Sequence, residues 1–60
     1  MIKRVQKIIN KYNDWVKNDK IYDTWTSDFY KNCTVYENVD GDVISLIRND
    51  KGEIIDAWIE

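Results

Sequence analysis

Sixty residues, 43% hydrophobic and 13% aromatic, with a net charge of −2, describe one small folded domain and not a disordered tail. The chain has no histidine and a single cysteine, Cys33. That excludes an internal disulfide, a Cys/His zinc site and every mechanism that needs an imidazole. A core of this size is marginal on its own, so a second subunit is the remaining way to gain burial.

The charge is unevenly spread. Residues 1–20 carry six basic and two acidic side chains, a local +4, and residues 21–60 carry three basic and nine acidic, a local −6. No apolar run approaches the ~20 residues of a membrane span. The stretch "MIKRVQKIINKY" lacks the continuous apolar region of a signal peptide. With one free thiol, these features predict a cytoplasmic protein without a membrane partner. The glycosylation sequon "NCT" at 32–34 then carries no information.

In chain order, Ile2, Val5, Ile9, Tyr12 and Val16 recur at spacings of three and four, widened by Ile8 and Trp15. They predict an amphipathic helix over residues 1–18, broken at Asn18-Asp19. Residues 20–32 are ambiguous. Tyr22, Trp25 and Phe29 have helical spacing, whereas Thr24 and Thr26 suit a strand; a short second helix is the preferred expectation. From Cys33 onward "CTVYENV", "DVISLIRN" and "EIIDAWIE" alternate around Asp40-Gly41 and Asn49-Asp50-Lys51-Gly52, which predicts two hairpin turns and three strands. The fold class expected is a single α+β domain over 1–60, a helix with a short second helix packed on a three-stranded antiparallel meander.

Pairing Asn49 with Glu53 sets Ile47 opposite Ile55, Ser45 opposite Ala57 and Val43 opposite Ile59, a face small enough for the helix. The other face then groups Ile44 with Trp58, Leu46 with Asp56 and Arg48 with Ile54, with Tyr36 beside them and Arg48 near enough to Asp56 for an ion pair. Such a face either takes residues 20–32 as its cover or stays open as an interaction surface.

Chemistry for catalysis is sparse. Gly41 and Gly52 are the only glycines, so there is no phosphate-binding loop. "ENVDGD" fails as a calcium loop, because Tyr36 and Ile47 fall where the first and last ligands belong. Cys33 reads as a small buried hydrophobe. A chain this short is expected to lack a cleft of ~300 Å³. No enzyme and no cofactor are predicted. Lys3, Arg4, Lys7, Lys11 and Lys17 suggest phosphate contact, but no helix-turn-helix, zinc or RNP-like signature accompanies them. Conversely, Asp40, Asp42, Asp50, Glu53, Asp56 and Glu60 would let an acidic sheet imitate a phosphate backbone.

Brevity, acidity, aromatic content and the Lys/Asn/Asp/Ile-rich usage of "KIINKYNDWVKNDKIYD" make the chain resemble, across its whole length, the small accessory proteins encoded by phages of low-GC Gram-positive bacteria. That resemblance implies binding and disabling of a host factor, including components of anti-phage defence, and carries over no functional residue. The expected function is a non-enzymatic, homodimeric inhibitor of a host protein. Its apolar anchors are Trp58, Ile44, Leu46 and Tyr36, with Asp56 and Glu60 as an acidic rim. The alternatives are a nucleic-acid-associated regulator using the basic helix, and a subunit that completes a larger assembly.

Overall fold

A computed structural model describes residues 2–60. One helix, α1 (Lys3–Lys17), packs on a four-stranded antiparallel sheet of β1 (Ile21–Thr26), β2 (Cys33–Asn38), β3 (Val43–Arg48) and β4 (Ile54–Ile59), in the spatial order of the chain. The α+β class holds. The second helix does not form; residues 21–26 are a fourth strand. Thr24 and Thr26 pair with Tyr36 and Thr34, and Trp25 pairs with Val35. Ser27 then turns the chain by accepting the amide N–H groups of Phe29 and Tyr30 at its Oγ (3.1 and 3.3 Å). The β-branched residues and the serine turn outweigh the three-residue aromatic spacing.

The helix ends where the Asn-Asp pair predicts. Asn18 donates its side-chain amide to the Asp14 carbonyl (2.9 Å), and Asp19 takes a left-handed φ of 54°. The Lys20 amide returns to the Trp15 carbonyl and aims the chain into β1. The buried stripe is Val5, Ile8 and Trp15, with Ile9 and Tyr12 partly buried. Ile2 and Val16, read from sequence as members of that stripe, are exposed.

Two turns share one device. Asn38 accepts the amides of Asp40 and Asp42 at its Oδ1 (2.9 Å each). Asn49 accepts those of Lys51 and Glu53 in the same way (2.9 and 3.0 Å). A glycine three residues on supplies the positive φ, 87° at Gly41 and 85° at Gly52. The Asn49–Glu53 pairing forms as expected (N···O 2.9 Å).

One turn further the register departs from expectation. Arg48 pairs with Ile54, but Ile47 pairs with Asp56, which leaves Ile55 as a bulged extra residue. A one-residue slip exchanges the faces of everything beyond it. Ser45 therefore lies opposite Trp58 and Leu46 opposite Ala57. The helix covers Ile44, Leu46 and Ala57, all fully buried, and not the Val43–Ser45–Ile47 face. The expected grouping of Ile44 and Leu46 with Trp58 on one open face is thus incorrect.

Candidate functional site

With one face of the sheet covered by the helix, the opposite face is the one that can meet a partner. The register lays it out in three rows. Asp23, Glu37, Val43 and Glu60 form the first, Trp25, Val35, Ser45 and Trp58 the second, and Ser27, Cys33, Ile47 and Asp56 the third. Val35, Ser45 and Cys33 are buried in the middle. Trp25 and Trp58 stand on the two outer strands, about 14 Å apart across three strand spacings. The 27–32 turn folds back over this face, and the Tyr30 ring meets Trp58 of the second row edge-on at 5.2 Å.

So residues 20–32 do cover part of this face, but incompletely. Trp25 is 43% exposed, Tyr30 55% and Phe29 91%. Between them lies an open groove of about 370 Å³ walled by Trp25, Phe29, Tyr30 and Trp58, with Asp28 and Glu60 in its lining. A second groove, about 550 Å³, runs between α1 and β4 and is lined by Lys3, Arg4, Lys7, Ile8, Trp58 and Ile59. Contrary to expectation, a 60-residue chain does form concavities above 300 Å³, as open surface grooves. Trp58 lines both, with the basic groove on its helix side and the acidic, aromatic groove on the other.

The structure separates the residues expected to act together. Ile44 and Leu46 have no accessible surface and cannot anchor a partner. Tyr36 is half-buried beside Tyr12, with ring centroids 4.7 Å apart. Arg48 donates to its hydroxyl (3.2 Å) and lies about 6 Å from both ring centres. The predicted Arg48–Asp56 pair is absent, because the bulge sends these residues to opposite faces. Asp56 instead faces Arg4 at 3.7 Å. Trp58 and Glu60 remain at the acidic groove. The expected continuous acidic surface also divides. Asp40 and Asp42 occupy the β2–β3 turn, and Asp50 and Glu53 the β3–β4 turn. The Asp42 and Glu53 carboxylates approach Asn38 and Asn49.

Trp25, Phe29 and Tyr30, which sequence reading set aside as a second helix, prove the most exposed aromatics of this face. Their signal was the turn chemistry of Ser27-Asp28 and Lys31-Asn32 between two alternating stretches; Asn32 takes a φ of 56°.

Cys33 is 1% exposed. Burial pushes its thiol pKa up, softened by the Ser27 and Ser45 hydroxyls, so it stays protonated and unreactive. Among the described residues no group of three acidic or cysteine side chains is placed to hold a metal ion, and no helix is long and apolar enough to cross a membrane. Comparison with known proteins gives no match among family models, curated proteins or solved structures.

Proposed function

We propose that the protein is a non-enzymatic binding module that docks a protein partner on its β1 edge and the adjoining 27–32 turn. The observation that carries this reading is the exposure of Phe29 at 91% and Trp25 at 43% beside an unfilled aromatic groove. Exposed apolar patches of this kind mark interaction surfaces, and aromatic anchors dominate interface energy. The class resemblance of the sequence makes a bacterial host factor the target, with inhibition by occupancy of its surface and the homodimer as the acting unit. Trp25 and Phe29 replace Ile44 and Leu46 as the anchors.

The test is retention of host protein by wild type, Phe29→Ser and Trp25→Ala, with Lys11→Ala on the helix as control. The aromatic variants are expected to lose partner affinity by about 1–2 kcal/mol or more while melting like wild type. Equal retention by all four proteins would defeat the proposal.

A second reading has one observation in its favour. The first turn of α1 has no acidic residue and no side-chain cap, and Lys3, Arg4 and Lys7 line a groove beside it. This is a surface suited to phosphate. Nucleic-acid binding through it would weaken steeply with salt, and docking on aromatic residues would not.

A further inference from the structure

The two grooves that meet at Trp58 are opposite in charge. One holds Lys3, Arg4 and Lys7; the other holds Asp28 and Glu60 and, among the described residues, no cation in its lining. The strand between them is an edge of the sheet with exposed apolar residues, Ile55 at 56% and Ile59 at 51%. Direct strand-to-strand pairing is obstructed there. Ala57, whose backbone polar groups point outward, has its N–H taken by the Asp56 carboxylate (2.8 Å) and its carbonyl by the Arg4 guanidinium (2.8 Å).

From this arrangement we infer that β4 is the axis of a two-fold dimer in which the basic groove of each copy seats against the acidic groove of the other. Rotation by half a turn about a line along β4 exchanges the helix side for the aromatic side and leaves every residue at its own height on the strand. Both grooves reach the height of Trp58, the basic one including Ile59 and the acidic one Glu60, so the rotation brings opposite charges together twice. The contact covers Ile59, the free side of Trp58 and the acidic lining of the second groove, and Trp25 and Phe29, which wall that same groove, stand at its rim. It is a closed pair joined by side chains and not a continuous sheet. The inference deepens the reading of a homodimeric binding module by assigning the surface that makes the pair.

Charge exchange tests it. Solution mass is measured by light scattering from micromolar to millimolar concentration for wild type, K3E/K7E, D28K/E60K and an equimolar mixture of the two variants, with thermal melts to show that each folds. Arg4 is left in place because it holds Ala57. The expected result is a wild-type dimer, at least a tenfold weaker association of each variant alone, and recovery of the dimer in the mixture, where one reversed contact and one native contact both attract. A monomeric wild type overturns the inference. So does dimerisation indifferent to the exchanges, or mass that grows without limit, which would signal head-to-tail contact. The outcome is separable from the docking proposal: failed charge exchange with partner retention lost in Phe29→Ser removes the dimer alone. Successful exchange with retention unaffected by Phe29→Ser removes the docking surface alone.

Discussion

Two asparagines and one cysteine show how much single side chains decide here. Asn38 and Asn49 each accept two backbone N–H groups across a five-residue turn, but Asn38 is 3% exposed and Asn49 sits nearer to solvent. Replacing either by alanine leaves those donors to water. Asn38→Ala is expected to cost about 1–2 kcal/mol and Asn49→Ala about half of that, read from urea midpoints; equal costs would mean that burial of Asn38 adds nothing. Cys33 makes a prediction in pH. Its folded pKa is raised by burial, so above the ordinary thiol value of about 8.5 the unfolded chain loses a proton that the native chain keeps. Stability is therefore undiminished below that pH and declines as pH rises past it. Tyr12, whose pKa is raised by burial and by the neighbouring Tyr36 hydroxyl, adds a further decline above about pH 10. Cys33→Ser should remove the first decline and leave the second, as followed by thermal melts from pH 7 to the alkaline limit.

At the scale of elements, α1, both glycine turns and the three C-terminal strands were legible, because periodicity, Asn-Asp and Asx-Gly chemistry act within a few residues. What the sequence hid was the bulge. Ile54-Ile55 offers two equally apolar residues, and only packing selects which one leaves the ladder. The choice follows from β3, where Ile44 and Leu46 are large enough to form a core under the helix and Ser45 on the other side is not. Ile55 is thus dispensable for register. Deleting it should keep every later side chain on its present face and preserve a cooperative melt, whereas loss of cooperativity would contradict the slip. The edge caps belong to this scale as well. Asp23 and Asp56 each bind the N–H of the following residue (2.8 Å), blunting both outer strands with the same short-range device. Arg4→Ala should cost no more than about 1 kcal/mol, since the guanidinium is largely in water. Its main effect would be faster aggregation on heating, visible as turbidity.

For the molecule as a whole, the helix leans toward one side of the sheet. It packs chiefly on β4 and the buried residues of β3, with Tyr12 against Tyr36 of β2, and every β1 residue beyond Ile21 is exposed. β1 is held by its ladder to β2 and little else, so its amides are expected to exchange with deuterium well before those of β2 and β3. Protection equal to the centre of the sheet would indicate that something else covers it, such as a second copy. The candidate sites were less legible than the fold for a related reason. Val35, Ser45 and Trp58 meet only through pairings between distant stretches, and a shift of one residue in β4 decides whether Trp58 joins Ile44 or Ser45.

The three tryptophans occupy three different surroundings. Trp15 is sealed in the core at 3% exposure, Trp58 is half-buried at the junction of the grooves, and Trp25 is open on β1. Each is consequently an optical probe of a different event. With two of the three replaced by phenylalanine, emission from the remaining indole would follow unfolding at Trp15, the proposed pairing of chains at Trp58 and the proposed capture of a partner at Trp25. The protein thus carries its own fluorophores at the places where its behaviour is to be measured.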